Sequence, residues 1–69
     1  MEEFNLGGKP FIELHNLLKA IGWCESGGMA KMAIAEGNVK VDGEVELRKG
    51  CKIRIGQVVT LGDMSVKVI

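Results

Sequence analysis

The sequence predicts an α+β domain in which two helices pack on one side of a small, mainly antiparallel sheet. Two segments in the first half have apolar residues at helical spacing, and the second half changes to the alternating spacing of strands. Glycines separate these segments at the positions where turns are expected. The 69 residues are sufficient for one small domain, residues 1–69.

The first elements are a short strand and a helix. The segment EEFNL is expected to form an edge strand that ends at Gly7-Gly8. Pro10 stands where a helix begins, because the N–H that proline lacks is not needed in the first turn. The apolar residues that follow at helical spacing are Phe11, Leu14, Leu17, Leu18 and Ile21. Gly22 is expected to end the helix in the left-handed conformation.

A second helix is predicted between Ser26 and Gly37. Ser26 is a suitable N-cap residue, and the glycine ends the helix. Met29, Met32 and Ala33 share one face, which is expected to point into the core. Lys31 lies opposite that face and is therefore expected to point outward.

The chain after the second helix predicts a tight hairpin followed by further strands. Asp42-Gly43 is typical of a two-residue type I′ turn, because both residues accept positive φ angles. One face of the hairpin is expected to carry Val39, Val41, Val45 and Leu47. Lys40 is expected on the other face, near Glu44 and Glu46. Turns at Gly56 and at residues 62–63 are expected to separate the remaining short strands.

Enzyme chemistry finds little support in the residues. His15 is the single histidine, and its place at the edge of the first helix's apolar face favours a packing role. Cys24 and Cys51 are expected to be free thiols in small core positions, since they lack metal-ligand spacing and a partner histidine. The glycines match neither a dinucleotide fingerprint nor a P-loop, so no cofactor is predicted.

The location of the protein is expected to be the cytoplasm. MEEFNLGGKP lacks the basic and apolar blocks of a signal peptide. No stretch approaches the ~20 apolar residues of a membrane helix, so no membrane partner is predicted.

Charge is balanced overall and uneven along the chain. Nine basic residues face nine acidic ones, which gives a formal net charge of zero. Residues 1–25 carry two lysines and four glutamates, whereas residues 26–69 carry seven basic and five acidic side chains. Residues 48–54, RKGCKIR, contain four basic residues and no acid. A local patch of this kind can attract an anion even when the whole chain is neutral.

Ser26-Gly27-Gly28 allows two interpretations. The first N–H groups of a helix lack internal acceptors and attract anions, and glycines let a phosphate approach the backbone closely. Met29 takes the place of the Glu or Gln of a capping box. The simpler interpretation is a glycine pair that eases a tight turn between two helices, and Glu25 beside it disfavours an anion.

Six basic residues strengthen the first interpretation, because they fall in segments that the hairpin would bring beside the second helix. They are Lys31, Lys40, Arg48, Lys49, Lys52 and Arg54. The aromatic residues are only Phe4, Phe11 and Trp23, so a sheet surface that stacks bases is not expected. Contacts with the backbone of a structured nucleic acid fit better.

The pattern SxxxAKxxIxxGxVxVDG, residues 26–43, resembles the αL RNA-binding motif of the S4 domain family. The segment ELHNLLKAIGW is similar to the first helix of that motif, and RIGQVVTL to its closing strands, so the resemblance covers about residues 11–61. The whole chain most resembles the small free-standing bacterial YbcJ-like proteins. The family commonly has Arg where Gly27 stands, Arg-Leu-Asp at residues 13–15 and Gly-Asp at residues 56–57.

The resemblance implies RNA binding by the second helix, its N-terminal loop and the hairpin. With the lack of catalytic residues, we expect a non-enzymatic RNA-binding protein. The resemblance also implies contacts by Ser26 and Lys31 of the second helix and by Lys40, Asp42 and Gly43 of the hairpin. We expect Gly27, Gly28 and the basic residues Arg48, Lys49, Lys52 and Arg54 to add contacts to structured RNA, such as rRNA or tRNA. The alternative is a protein-interaction module for the ribosome or an RNA-processing enzyme, which the zero net charge favours.

Overall fold

The computed structural model describes residues 1–69 and contains two helices and seven strands. The helices are α1 (Leu14–Ala20) and α2 (Gly27–Ala35). The strands are β1 (Glu2–Phe4), β2 (Ile12–Glu13), β3 (Val39–Val41), β4 (Glu44–Val45), β5 (Lys52–Ile53), β6 (Val58–Leu61) and β7 (Met64–Val68). This order agrees with the α+β class predicted from the sequence.

Five strands form the main sheet, in the order β1-β7-β6-β3-β4. All neighbours are antiparallel except β1 and β7, which pair in parallel with Glu2 opposite Val66. The pairing extends past the strands, because Ile69 N–H donates to Phe4 O and Leu6 N–H donates to Ile69 O, both at 2.9 Å. The predicted edge position of the first strand and the mainly antiparallel sheet are therefore confirmed.

A second, two-stranded sheet joins β2 to β5. The helix expected to begin at Pro10 begins instead at Leu14, so the predicted start was wrong. The reason is that the backbone of Ile12–Glu13 pairs with Lys52–Ile53 and is not available for a helical turn. Gly22, with φ 80°, ends α1 as predicted.

The hydrophobic core lies between the two helices and one face of the main sheet. The helices contribute five fully buried residues: Leu14, Leu17, Leu18, Ala30 and Ile34. The strands contribute Val39, Ile53, Val59, Val66 and Val68, and Leu6 and Cys24 complete the cluster. The opposite face of the main sheet is not covered by a helix.

The buried face of α2 differs from the prediction. Met29 and Met32 are exposed at 53% and 63%, whereas Ala30 and Ile34 are buried and Ala33 is half-buried. Ala30 and Ile34 are four residues apart and so lie on the same face, which α2 presents to α1 and the sheet. A small alanine suits this close packing. Lys31 is exposed, as predicted.

The hairpin turn is confirmed, and the assignment of its faces is corrected. Asp42 and Gly43 have φ angles of 52° and 85°, as a type I′ turn requires. Lys40 lies directly opposite Val45, so the two side chains share a face. Val45 and Leu47 therefore do not face the core with Val39, and they are exposed at 52% and 61%.

Candidate nucleic-acid interface

The start of α2 offers two backbone donors. Ser26 is the N-cap, and its Oγ accepts a hydrogen bond from Met29 N–H at 3.2 Å. The N–H groups of Gly27 and Gly28 have no hydrogen-bond partner in the chain. No capping box is present, as the sequence predicts, but Ser26 itself satisfies one donor. The two glycine donors and the exposed Lys31 one turn later make this end of α2 electropositive.

The loop before β5 is held against the start of α1. Leu14 N–H donates to Cys51 O at 2.8 Å, and His15 N–H donates to Lys49 O at 3.1 Å. His15 Nδ1–H, in the tautomer that carries the proton there, donates to the same oxygen at 2.8 Å. These bonds satisfy the first donors of α1 and fix the position of residues 49–51, between Arg48 and Lys52. His15 has a structural role here.

Arg48 is paired with Glu46. Its Nε and Nη2 donate to the two carboxylate oxygens, each at 3.0 Å, and its backbone N–H donates to Oε2 at 3.0 Å. These hydrogen bonds lower the pKa of Glu46 to about 2. Burial and the hydrogen bond to Glu46 raise the pKa of the Cys51 thiol. Burial likewise raises the pKa of Cys24, so both free cysteines remain protonated and weakly nucleophilic at neutral pH.

The pairing of Glu46 gives a prediction for acid titration. Its carboxyl is expected to titrate near pH 2, well below the ordinary value of about 4.3. Because the folded pKa is the lower one, the pair stabilises the fold fully above the unfolded value, and the contribution disappears as the pH falls toward 2. NMR titration of the Glu46 side chain in the wild type and in Arg48→Ala would measure this. An unchanged midpoint in the variant would show that Arg48 is not the cause.

Lys52 and Arg54 lie against an aromatic ring. Lys52 Nζ is 5.0 Å and Arg54 Cζ is 5.6 Å from the centroid of the Phe11 ring, which are cation–π distances. The alternation of residues 51–55 predicted that the two charges share one strand face, but it did not reveal this aromatic partner. The same alternation grouped Ile55 with the apolar side of the strand. Ile55 is instead 69% exposed, because β5 ends at Ile53 and the chain turns.

Asp42 and Gly43 shape the hairpin. Asp42 Oδ1 accepts from Val58 N–H at 2.9 Å, and its Oδ2 accepts from the Gln57 side-chain amide at 3.3 Å. Gln57 in turn accepts from Arg54 N–H at 2.8 Å. The Asp42 carboxylate is therefore occupied by protein donors, and it connects the hairpin to the turn that carries Arg54.

Lys40 lies apart from the other basic residues. Its neighbours in sequence, Val39 and Val41, face the core. Because strand side chains alternate, Lys40 projects into solvent from the uncovered face of the main sheet. Thr60 is its partner on that face.

The candidate residues thus fall into three places. Ser26, Gly27, Gly28 and Lys31 belong to α2, Arg48, Lys49, Lys52 and Arg54 follow the hairpin, and Lys40 is on the far face. No hydrogen bond or ion pair joins the α2 group to residues 48–54. A cleft of about 480 Å³ between the hairpin and residues 48–52 is lined by Arg48 and Lys52 and by three acidic side chains.

Two further features concern metal binding and membranes. No group of three or more His, Cys, Asp or Glu side chains has the arrangement of a metal site. The structure contains no helix with the length and apolar character that crossing a membrane requires.

Comparison with known proteins identifies relatives over the whole chain. Residues 4–69 match the model of the S4 domain. The chain is 58% identical over 69 residues to the "Putative RNA-binding protein YbcJ" of Escherichia coli strain K12 and to a Shigella flexneri protein also named YbcJ. Each alignment covers 100% of this chain and 99% of the relative.

A solved structure gives the same result for the fold. The solution structure of E. coli YbcJ, described as having an αL motif involved in RNA binding, aligns with a TM-score of 0.77. The alignment covers 100% of this chain and 87% of the other. The α+β fold predicted from the order of elements, and the αL motif predicted from the resemblance over about residues 11–61, are confirmed. The chain belongs to the S4 domain family.

Proposed function

We propose that this chain binds structured RNA. The name and description of YbcJ give RNA binding for that protein, without the kind of RNA. The start of α2 (Ser26, Gly27, Gly28 and Lys31) and the basic segment (Arg48, Lys49, Lys52 and Arg54) contact phosphates and sugars. Asp42 and Gly43 hold the hairpin in shape beside them, and Lys40 contacts RNA that extends over the sheet face. The whole chain acts as one non-enzymatic domain in the cytoplasm.

The observation that carries the proposal is the number of uncompensated cations. All six basic candidate residues are exposed, and the only ion pair in the chain is Arg48 with Glu46. Five of the six therefore have no carboxylate within 4 Å. Basic side chains without a carboxylate partner are available to bind phosphate groups. Contacts with phosphates supply a large share of the affinity for nucleic acid.

The zero net charge limits how strongly these cations attract RNA from a distance. A neutral protein attracts nucleic acid weakly at long range, so useful affinity depends on an RNA shape that reaches both groups together. Folded RNA, such as rRNA or tRNA, presents phosphates in fixed positions. Binding of this kind depends on the shape of the RNA and not on its sequence, since phosphate contacts carry no information about the bases.

The test is an NMR titration of labelled protein with a folded RNA at low and high salt. Shifts are expected at residues 26–31 and 48–54 and should fade as salt rises. Lys31→Ala should weaken binding several-fold and lower the salt slope by about one. Lys19→Ala, which removes an exposed lysine of α1 outside the proposed contacts, is the matched control. Equal weakening in both variants would refute a specific role for the α2 group.

A second candidate function is supported by the exposed methionines of α2. Met29 and Met32 present adaptable apolar side chains beside Lys31. Such a surface suits binding to a partner such as a ribosomal or RNA-processing protein. In the same titration, an absence of shifts with every folded RNA would favour this function over RNA binding.

A further inference from the structure

A groove that the RNA-binding proposal does not use lies between the segment after β1 and the start of α1. Its volume is about 330 Å³, at the lower end of the roughly 300–1,000 Å³ range of small-ligand sites. Phe4 and Phe11 contribute aromatic surface, and Asn5, Lys9 and Asn16 contribute polar groups. The groove is therefore amphipathic and of a size for one planar ring.

The polar groups of the groove are largely free. Asn5 Oδ1 accepts from Gly7 N–H at 2.7 Å, which leaves its amide NH2 as a donor. The Asn16 side chain has no hydrogen-bond partner in the chain, so it offers both a donor and an acceptor. Together the two amides offer the mixture of donors and acceptors that the edge of a nucleobase requires.

Positive charge surrounds the groove. Lys9 lines it, while Lys52 and Arg54 lie against the Phe11 ring, and none of the three has an ion-pair partner. The one acidic side chain of the lining, Glu13, extends toward Gly50, where its Oε2 would be 3.2 Å from an added Cβ. An aromatic wall flanked by unpaired cations suits a ring that carries a phosphate.

We propose that this groove holds one unstacked nucleobase of a bound RNA. The base packs against the part of Phe11 that lines the groove, beside the Lys52 and Arg54 side chains that lie over the ring. Its edge meets the amides of Asn5 and Asn16, and Lys9 contacts an adjacent phosphate. The inference rests on the proposed RNA binding and adds a second kind of contact to it, because phosphate contacts alone would not distinguish paired from unpaired nucleotides. The site takes a single base in a groove, and so needs no stacking platform on the sheet.

The experiment compares one short RNA hairpin, fully paired, with four versions that carry a single unpaired A, C, G or U. At least one of the four is expected to bind about tenfold more tightly than the paired hairpin. Phe11→Leu should abolish this preference, and it also removes the ring that Lys52 and Arg54 contact. Asn16→Ala, at an exposed position, should therefore be the variant that reduces the preference while leaving affinity for the paired hairpin and folding unchanged, with Asn38→Ala as the matched control.

Two readouts separate this inference from the function on which it rests. The side-chain amide signals of Asn5 and Asn16 should shift with the unpaired-base hairpin and not with the paired one. If all hairpins bind equally and these signals stay unmoved, the groove inference is overturned while RNA binding stands. If no hairpin binds in any form, both proposals fail. Lys9→Ala should weaken only the unpaired-base complex, whereas Lys19→Ala should change neither.

Discussion

Replacing Leu17 by alanine is expected to lower the free energy of unfolding by about 3 kcal/mol. Leu17 has no exposed surface and belongs to the buried face of α1 that packs on the rest of the core. The substitution removes apolar burial and leaves a cavity that close-packed neighbours fill only in part. In a domain of 69 residues this is a large share of a total stability of roughly 5 kcal/mol.

Urea unfolding followed by circular dichroism would measure this destabilisation. Leu47→Ala makes the same chemical change at a position that is 61% exposed, and it should alter stability by no more than about 0.5 kcal/mol. Similar destabilisation in the two variants would contradict the role assigned to the burial of Leu17.

Replacing Lys49, Lys52 and Arg54 together by alanine is expected to weaken RNA binding by at least about tenfold. Each side chain is exposed and without a carboxylate partner, so each is available to a phosphate. Arg48 is left in place because its removal would release the Glu46 carboxylate and add a repulsive charge. The slope of log affinity against log salt should also fall by about one for each phosphate that the variant no longer neutralises.

The matched control is a variant with Lys19 replaced by alanine. This exposed lysine of α1 lies outside the proposed contacts. Affinity measured by fluorescence anisotropy with one folded RNA should change little in this control. An unchanged affinity in the triple variant, with its circular dichroism spectrum intact, would mean that Lys49, Lys52 and Arg54 do not contact the RNA.

Local turn chemistry explains why much of the fold could be predicted. Gly22 and Gly37 end the helices in the left-handed region, and Asp42-Gly43 forms the hairpin, because few other residues accept these angles. The start of α1 could not be predicted in this way. Residues 12–13 pair with a strand that is about 40 positions away in sequence, and no local pattern indicates such a partner.

The buried face of α2 and the contacts within the candidate site also could not be predicted from the local sequence pattern. Hydrophobicity favoured Met29 and Met32 as core residues, but close packing of two helices favoured the smaller Ala30. The exposure of the six basic candidate residues could be predicted, because their side chains are charged. The pairing of Arg48 with Glu46 and the approach of Lys52 and Arg54 to Phe11 depend on loop geometry, which the sequence alone does not specify.

The parallel pairing of β1 with β7 also has a consequence for how the chain acquires its structure. Glu2 meets Val66 across 64 positions, and β7 lies inside the sheet between β1 and β6. Non-local pairing of this kind raises the contact order and slows folding. A nascent chain whose residues 64–68 are still inside the ribosome cannot complete the sheet. We therefore expect this domain to fold cooperatively only after β7 has emerged, with the β1–β7 ladder closing late.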